Sequence, residues 1–318
     1  MKILDCTLRD GGYTNNWDFD INFAINLYET ALNSDISYLE VGYMNNSFNK
    51  NKGVFATCDD SLLEKISTKT DKCQLIVMTD ANRFDSNLFV DKSQKTTPLA
   101  GVRIATYPQN IVNALMYCKV LKDKGYEVFL NLMVAGVLSD DAFRYLENHS
   151  NDKSIDWLVF SDSFGNMTPD KVENIAKTFI NIGFKNLGFH SHNNLQMALI
   201  NSITAMNSGC SLIDATVKGL GRGAGNLPIE LFLGYLERIN TEYTAINYVQ
   251  FIENYFPEST KYLCNLISGL DNIHPSYLEY LAKHTNKSIS CIYEFSKHIK
   301  NECPIEFNKN VLEEILNS

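Results

Sequence analysis

Eight short apolar runs, rich in β-branched residues, alternate with segments of helical periodicity along the first three quarters of the chain. Alternating strands and helices form a parallel sheet, because a parallel pair needs a crossover between its strands. An open doubly wound sheet would satisfy this pattern, but the count of eight and the even spacing favour closure into an α/β (β/α)8 TIM barrel. The predicted strands are 2–8, 38–42, 74–78, 101–105, 127–133, 157–160, 187–192 and 212–217.

The segments between and after these strands predict helices. Strand signals cease after about residue 240, where short helical patterns rich in Tyr, Leu and Ile continue. We therefore expect a TIM-barrel catalytic domain over 1–240 and a small helical C-terminal region, 241–318, packed on the barrel. The predicted helices are 19–34, 59–70, 83–90, 109–125, 139–150, 169–183, 195–209, 228–238, 243–256, 259–269, 275–284, 288–300 and 308–316.

Composition excludes several classes of function. The 318 residues exceed the ~250 that a barrel needs, which leaves room for an appendage. The net charge of −9 comes without any stripe of Lys and Arg, so nucleic acid is not an expected partner. No apolar run approaches the ~18 residues of a membrane span, and no signal peptide is visible. The eight cysteines form no C-x-x-C pair, which is typical of reduced thiols in a cytoplasmic protein.

A histidine pair, His190 and His192, ends the seventh predicted strand. Residues two apart on a strand face the same side, so both imidazoles point to one place. A histidine pair alone would more often be part of a core or a surface. The carboxyl ends of the strands, however, are where such barrels keep their active sites.

An acid follows the first predicted strand, in Arg9-Asp10-Gly11-Gly12. This stretch could be a turn with a solvated salt bridge. In a closed barrel, however, strands 1 and 7 are separated only by strand 8, so Asp10 can approach both histidines. One carboxylate and two imidazoles make a workable site for a catalytic divalent cation.

A glycine-rich loop, 218–226, follows strand 8 and contains four glycines. Glycines let a backbone run close to a ligand or metal. The loop lacks the residues of a nucleotide-binding loop, so nucleotide binding is rejected. Its last residue, Asn226, can offer a carbonyl oxygen to the cation or cap the helix that begins at 228.

These motifs together resemble the HMG-CoA lyase-like, or DRE-TIM, metallolyase superfamily. The resemblance rests on 9–12, Glu40-Val41-Gly42, 190–194 and Gly225-Asn226, and it covers nearly the whole chain. The run 102–106 and the helical C-terminal region look most like the 4-hydroxy-2-oxovalerate aldolase branch.

The resemblance implies roles for these residues. Asp10, His190 and His192 match the metal ligands, and Asn226 matches an additional ligand of some members. The other matched residues have different roles. Arg9 matches the arginine that neutralises the enolate oxygen, and Glu40 the second-strand acid, unless Glu40 only forms a structural salt bridge. Ser163 falls where a hydroxyl receives the substrate carboxylate, unless it caps a helix.

The sequence departs from the branch at the catalytic base. The branch places its base histidine where this chain has Tyr13, and a C-terminal tyrosine where this chain has His274. Tyrosine titrates near ~10, so Tyr13 is a poor base unless the cation or Arg9 lowers its pKa, and His274, near ~6.5, could act as the base instead. Tyr277 is a nearby substitute for the missing tyrosine at the substrate.

The preferred function is that of a divalent-metal-dependent aldolase, which cleaves or forms a C–C bond of a 4-hydroxy-2-oxo acid through a pyruvate-type enolate at the cation. One alternative is an acyl-CoA-dependent Claisen synthase, disfavoured because Asp10-Gly11-Gly12-Tyr13 replaces the Asp-Gly-Glu-Gln of that group. HMG-CoA lyase itself is disfavoured because 216–225 contains no cysteine. A non-catalytic barrel partner is the third possibility.

The expected ligands and partners follow from this function. Nitrogen and oxygen ligands without thiolate favour Mn²⁺, with Mg²⁺, Co²⁺ and Zn²⁺ as alternatives. The partner at the site is a small-molecule 2-oxo acid. The branch implies, in addition, a homodimer and an aldehyde dehydrogenase that receives the product aldehyde.

Overall fold

A closed barrel of eight parallel strands, paired in chain order from β1 to β8, forms the centre of the structure. This computed structural model describes residues 1–46, 51–67, 72–150, 153–239, 241–285, 287–303 and 305–317. The predicted TIM barrel is confirmed, because β8 pairs with β1 and closes the sheet. The strands are β1 Lys2–Asp5, β2 Tyr38–Tyr43, β3 Gln74–Asp80, β4 Leu99–Thr106, β5 Glu127–Leu132, β6 Trp157–Asp162, β7 Leu187–Ser191 and β8 Leu212–Ala215.

The chain divides into two compact units, Met1–Ile229 and Glu230–Ser318. This division falls at the start of α9, whereas the sequence predicted a boundary at 240; the catalytic and C-terminal domains stay a prediction. The α-helices up to the division are α1 Thr7–Asp10, α2 Gly12–Asn15, α3 Ile21–Asn33, α4 Asp60–Ile66, α5 Ile111–Asp123, α6 Asp140–Asn148, α7 Pro169–Asn181 and α8 Ala198–Asn207. The following α-helices are α9 Ile229–Arg238, α10 Ile246–Tyr255, α11 Thr260–Asp271, α12 Pro275–His284, α13 Ile289–Ile299 and α14 Lys309–Asn317.

An apolar cluster fills the amino-terminal end of the barrel. Tyr38, Trp157 and Leu212 are the first residues of their strands, and all three are buried. The indole of Trp157 and the hydroxyl of Tyr38 both donate to the carboxylate of Glu127, each at 2.8 Å, so their polar atoms are satisfied. The floor of the barrel is therefore closed, and the polar residues described below lie at the opposite rim.

The first strand ends earlier than predicted, at Asp5 instead of Leu8. The Asp5 carboxylate accepts hydrogen bonds from the backbone N–H and the hydroxyl of Thr7, at 2.8 and 2.5 Å. A side chain that bonds the backbone two residues ahead turns the chain out of its strand. Residues Thr7–Asp10 consequently form a single helical turn on the barrel rim.

The third connection also differs from the prediction. The predicted helix over 83–90 is wrong: this stretch holds only a 3-10 turn, Ser86–Leu88. The Asp85 carboxylate accepts from the backbone N–H of Asn87 at 2.9 Å, which satisfies that donor without a longer helix. The predicted helix over 59–70 is shorter in the structure, α4, and 68–70 lies outside the described residues.

The five helices predicted after residue 240 are confirmed as α10 to α14, with ends that agree within three residues. Each buries apolar residues within the second unit, such as Val249, Ile267 and Ile292. None of the helices in the described ranges has both the length and the apolar content that a membrane span requires.

Candidate metal centre

Three side chains converge at the rim of the barrel. Asp10 ends the turn α1, His190 lies on β7, and His192 comes directly after β7. One ligand atom from each lies within 4.8 Å of the other two, and all three residues are buried. His190 Nε2 lies 3.3 Å from Asp10 Oδ2. These atoms are close enough to bind one ion.

Asn226 lies beside Asp10. Its amide nitrogen donates to Asp10 Oδ2 at 2.5 Å and to the carbonyl of Leu220 at 3.4 Å. Neither bond goes to α9, so the Asn226 side chain caps no helix through these two bonds. The carbonyl oxygen of Asn226 is buried and has no hydrogen-bond partner among the described residues. A buried acceptor without a donor is costly, and a cation at this position would satisfy it.

The glycine loop makes room for Asn226. A Cβ atom on Gly221 would lie 2.6 Å from the amide nitrogen of Asn226. Gly225 has a φ of +87°, and a Cβ atom there would lie 2.2 Å from the carbonyl oxygen of Gly219. A side chain at Gly221 would displace the Asn226 amide, and one at Gly225 would displace the Gly219 carbonyl, which accepts the Asn226 backbone N–H at 2.9 Å. These contacts explain why the sequence uses glycine at both positions.

Five further contacts join the rim residues into a ring of charged groups. Arg9 Nη1 lies 3.1 Å from Asp10 Oδ1, and Arg9 Nε donates to Glu40 Oε2 at 2.7 Å. Arg103 Nε lies 3.4 Å from Glu40 Oε1, an ion-pair distance without hydrogen-bond geometry. Arg103 also binds both oxygens of Asp214, at 2.5 and 3.0 Å. We call Asp10, Arg9, Glu40, Arg103, Asp214 and His190 the rim circuit.

The rim circuit closes through His190. Its Nδ1 lies 2.9 Å from Asp214 Oδ2, and its Nε2 faces Asp10. Because a carboxylate only accepts, Nδ1 carries a proton toward Asp214. Burial alone would lower the pKa of His190, but its bonds to Asp10 and Asp214 raise it overall, so the proton on Nε2 is the one that a metal ion beside Asp10 would displace. A metal-binding histidine is commonly oriented by a carboxylate in this way.

The charge of the rim circuit suits a divalent cation. Its two guanidinium groups and three carboxylates leave one negative charge when the His190 imidazole is neutral, which is the form that binds a metal. All six members are buried, so this charge lies in a region where unpaired charge is costly. Together with the unpaired oxygen of Asn226, the charge balance fits a bound divalent ion with nitrogen and oxygen ligands.

Burial and neighbouring charges set the pKa values of these groups. Burial alone would raise the pKa of Asp10, but Arg9 and then His190 hold it well below its usual range. Burial and the nearby His190 lower the pKa of His192 to about 4. The His192 imidazole is therefore neutral at pH 7, which is the form that binds a metal.

Trp17 positions the backbone of Arg9. The indole N–H donates to the carbonyl of Arg9 at 2.8 Å. Trp17 and Asn16 both adopt the left-handed region, with φ of 59° and 58°. A bulky side chain seldom adopts this conformation, and such strain is common near functional sites. The sequence reasoning missed Trp17, because nothing in local composition signals a left-handed tryptophan.

Tyr13 extends from the same segment toward the cavity above the cluster. Its hydroxyl lies 3.1 Å from that of Tyr43, and its ring packs edge-on against Trp17 with centroids 4.6 Å apart. Burial raises the pKa of Tyr43 well above its ordinary value, with Arg9 acting in the opposite direction. Tyr13 is 45% exposed, so its hydroxyl is accessible to a ligand in the cavity.

The cavity itself occupies about 700 Å³ at the carboxyl ends of the strands. Ser163, a predicted substrate-binding residue, lines this cavity, and its hydroxyl accepts the backbone N–H of Val134 at 2.9 Å. That hydroxyl retains its own proton for a further acceptor. The metal-cluster residues Asp10, His190 and His192 line the same cavity.

The two predicted residues of the C-terminal region belong to the second unit. His274 caps α12, where its Nδ1 accepts the backbone N–H of Ser276 at 3.3 Å. Tyr277 is fully buried; its hydroxyl donates to the carbonyl of Glu306 and accepts the N–H of Asn308, each at 2.9 Å. Their predicted roles at the substrate stay predictions.

The roles of Arg103 and Asp214 were missed as well, although the sequence does contain a signal. Each charged residue interrupts a strand whose other members are apolar, Val102-Arg103-Ile104 and Ile213-Asp214-Ala215. A charge in a buried strand needs a partner of opposite sign. The two residues are each other's partner across the barrel.

Comparison with known proteins identifies the family. The family model described as HMGL-like matches residues 1–253. A 4-hydroxy-2-oxovalerate aldolase from Spirochaeta aurantia is 27% identical over 294 residues, covering 87% of this chain and 84% of that protein. An oxaloacetate decarboxylase from Mycobacterium tuberculosis is 24% identical over 244 residues, covering 74% and 70% of the two chains.

A solved structure gives the same result. The N-terminal domain of a candidate aldolase from Bacteroides vulgatus superposes with a TM-score of 0.74 and 34% identity, covering 91% of this chain and 99% of that one. The resemblance expected from the motifs is thereby confirmed. The chain belongs to the HMGL-like family.

Proposed function

We propose that this protein is a divalent-metal-dependent lyase that cleaves or forms the C3–C4 bond of a 4-hydroxy-2-oxo acid. The observation that carries the proposal is the cluster of Asp10, His190 and His192, beside Arg9 and within the rim cavity. The aldolase relatives support the reaction class, and the acid that they cleave is the model for the substrate.

The metal would be held by Asp10, His190, His192 and the carbonyl oxygen of Asn226. A divalent cation there supplies Lewis-acid stabilisation of negative charge on the 2-oxo group. Mn²⁺ is the preferred ion, and Mg²⁺, Co²⁺ and Zn²⁺ are alternatives. All other steps belong to the residues of the chain.

Arg9 is proposed to bind the 2-oxo oxygen and neutralise the charge that develops on it. One of its five N–H groups donates to Glu40, and Nη1 forms an ion pair with Asp10 at 3.1 Å, which leaves other N–H groups for the substrate. Glu40 fixes the guanidinium through the 2.7 Å bond to Nε. Such a preorganised donor stabilises a transition state because it needs no reorientation during the reaction.

Proton transfer completes the reaction. In cleavage, the 4-hydroxyl loses its proton, the C3–C4 bond breaks, and the electron pair becomes an enolate that is then protonated at C3. Tyr13 and His274 are the residues proposed to act at the 4-hydroxyl, and Ser163 is proposed to donate to the substrate carboxylate. Tyr13 and Ser163 line the cavity. Tyr277 is retained as a predicted substrate contact.

The deciding experiment is a screen of 4-hydroxy-2-oxo acids for pyruvate release in the presence of Mn²⁺. Pyruvate is measured by the oxidation of NADH in a coupled assay. We expect Arg9→Ala to abolish turnover, and Tyr13→Phe or His274→Ala to identify the residue that acts at the 4-hydroxyl. Arg144→Ala is the matched control, because Arg144 is 71% exposed and pairs with Asp141 on α6. Full turnover by Arg9→Ala would refute the role of Arg9.

A second candidate is decarboxylation of a 2-oxo diacid, which the relative named oxaloacetate decarboxylase favours. It leads to the same enolate but needs no base at a 4-hydroxyl. Carbon dioxide release from oxaloacetate, in excess of pyruvate release from any hydroxy acid, would select it. Consumption of acetyl-CoA with a 2-oxo acid would instead select the Claisen synthase, and a purified chain that binds no metal would select the non-catalytic partner.

The homodimer and the aldehyde dehydrogenase that receives the product stay predictions. The cytoplasmic location stays a prediction as well.

A further inference from the structure

We propose that the aldehyde half of the substrate carries several hydroxyl groups, so that the acid resembles a sugar acid and not a short alkyl chain. This inference rests on the proposed function. It concerns the part of the rim cavity that is opposite the metal cluster, at the carboxyl ends of β3 and β4.

The position of this region follows from the barrel. The metal cluster comes from β7 and the turn after β1, while Asn82 follows β3 and Asn110 follows β4. In a closed barrel of eight strands, β3 is across from β7 and β4 is across from β8. The cavity extends over both sides. A substrate whose 2-oxo end is at the metal cluster therefore directs its other end toward β3 and β4.

The cavity is too large for a small aldehyde. Its volume of about 700 Å³ falls within the range of about 300–1,000 Å³ that holds drug-sized ligands. A five-carbon hydroxy-oxo acid would leave much of this space filled with water. A longer chain would fill it.

The polar groups of this region are suited to hydroxyl groups. Asn110 Nδ2 donates to Asn82 Oδ1 at 2.7 Å, which leaves the nitrogen of Asn82 and the oxygen of Asn110 without a partner among the described residues. Both residues line the cavity. The pair therefore presents one donor and one acceptor, and a hydroxyl group can bind to either.

Two further asparagines present the same half-satisfied amide. Asn45 Oδ1 accepts from the hydroxyl of Thr79 at 3.0 Å, and Asn131 Oδ1 accepts from that of Ser161 at 3.3 Å. Asn45 and Asn131 are 8% and 5% exposed, and both line the cavity. An unbranched alkyl chain would leave these amides unpaired, which is costly once water is excluded.

A phosphate group is the competing choice, because Lys52, Arg83 and Arg222 also line the cavity. These cations are exposed at its mouth, and two already have partners: Arg83 lies 3.9 Å from Asp80, and Arg222 donates to the carbonyl of Ser163. Two of the four amides, Asn45 and Asn131, are buried, Asn110 is half-buried, and Asn82 is exposed. Together they present four sites of mixed polarity. The chemistry of the region consequently favours neutral hydroxyl groups over a concentrated negative charge.

The reaction can be tested in the direction of condensation. Carbon 3 of pyruvate loses a proton and attacks the aldehyde carbon, the C3–C4 bond forms, and the aldehyde oxygen gains a proton to become the 4-hydroxyl. Condensation by the full chain with Mn²⁺ would be compared for pairs of equal carbon number, propanal with glyceraldehyde and butanal with erythrose. Glyceraldehyde 3-phosphate, compared with glyceraldehyde, tests whether the site prefers an aldehyde that carries a phosphate group.

We expect kcat/KM to be at least tenfold higher for the hydroxylated member of each pair. Asn82→Ala and Asn110→Ala should each lower kcat/KM for erythrose about three- to tenfold, the loss of one hydrogen bond, and leave that for butanal unchanged. Asn113→Ala is the matched control, since Asn113 is an exposed asparagine on α5, one helical turn from Asn110. Its kcat/KM should equal that of the wild type for every aldehyde.

Exchange of the C3 protons of pyruvate with deuterium from solvent, followed by NMR without any aldehyde, separates this inference from the proposed function. Exchange together with equal rates for alkyl and hydroxylated aldehydes would overturn the inference and leave the function intact. A preference above tenfold for glyceraldehyde 3-phosphate over glyceraldehyde would also overturn it. The absence of exchange would contradict the proposed function itself.

Discussion

Asp214 holds the proton-bearing nitrogen of His190 at 2.9 Å, and the same carboxylate is bound by both terminal nitrogens of Arg103. Burial alone would raise the pKa of Asp214, but Arg103 and His190 keep it well below its usual range. Asp214 is consequently a permanent anion, and it orients the imidazole whose other nitrogen faces Asp10. The geometry of the metal cluster depends on this pair, although Asp214 is not one of the predicted ligands.

Asp214→Asn should therefore weaken metal binding. The amide oxygen of asparagine is a weaker acceptor for His190 than a carboxylate, and the substitution removes the ion pair with Arg103. Loss of such an outer partner usually lowers metal affinity about 10- to 100-fold. Titration of the metal-free protein with Mn²⁺, measured by calorimetry, gives the affinity. Asp141→Asn is the control, because Asp141 is 88% exposed. Equal Mn²⁺ affinity for Asp214→Asn and wild type would show that His190 is oriented without Asp214.

Removal of the metal should lower the thermal stability of the protein. An ion that binds only the folded state stabilises it by about 2.7 kcal/mol at a concentration of 100 Kd. Addition of a chelator should therefore lower Tm by several degrees in the wild type and leave that of His192→Ala nearly unchanged. Differential scanning calorimetry with Mn²⁺ and with excess chelator measures both. The same loss of Tm in both proteins would place the ion elsewhere.

Gly12→Ala should disturb Arg9 through Trp17. A Cβ atom on Gly12 would lie 2.1 Å from the indole ring, which donates to the Arg9 carbonyl. Overpacking of this kind costs about 1–3 kcal/mol of unfolding free energy, and we expect turnover to fall as well. Urea unfolding and the pyruvate-release assay provide the two measurements.

Gly269→Ala provides the contrast to this substitution. Gly269 lies within α11, and a Cβ atom there would meet nothing within 4 Å. Alanine should stabilise this helix by about 0.5–1 kcal/mol without a change in turnover. Wild-type stability and turnover of Gly12→Ala would show that contact with Trp17 does not position Arg9.

The second unit contains a carboxylate that should make its stability depend on pH. Burial alone would raise the pKa of Glu237, but bonds from Tyr293 and the backbone N–H of Ala245, with the charge of Lys297, lower it overall. A carboxylate whose pKa is depressed by folding stabilises the native state above its unfolded pKa. That contribution is lost as pH falls through the lower, folded value.

Glu237→Gln should therefore lower the free energy of unfolding by about 1.5–3 kcal/mol at pH 7, the usual range for hydrogen bonds to a charged group. The difference from wild type should shrink as pH falls below 4.5, the ordinary pKa of the residue. Urea unfolding of the full chain over pH 3–7 measures it. Glu294→Gln, an exposed partner of the same Lys297, should show no comparable change. A difference that stays constant with pH would contradict the role of the charge.

Periodicity alone predicted the barrel and the helices after residue 240, because each element buries one face of a regular pattern. It failed where a single side chain changed the backbone path. The bond from Thr7 to the Asp5 carboxylate ends β1 early, and the bond from Asn87 to Asp85 replaces a predicted helix with one turn. Such interactions act over two residues and leave no trace in a periodic signal.

The candidate site was predictable to the extent that strand order determined it. Asp10 meets His190 because β1 and β7 flank β8, and that order follows from counting strands. The partnership of Arg103 and Asp214 was not predictable, because the two residues are 111 positions apart and lie on strands that are not neighbours. They meet because β4 and β8 face each other across the closed barrel and both side chains point into its interior.

The rim circuit has a consequence for how such a chain can acquire new substrates. Each of its six members bridges two others, so a change at any one position leaves two buried polar or charged groups short of a partner. Asn82 and Asn110, after β3 and β4, bond to each other and form no hydrogen bond or ion pair with those six groups. Exchange of the two loops between related barrels should therefore transfer the choice of aldehyde and leave bond cleavage unaltered, which makes this protein a suitable scaffold for grafting.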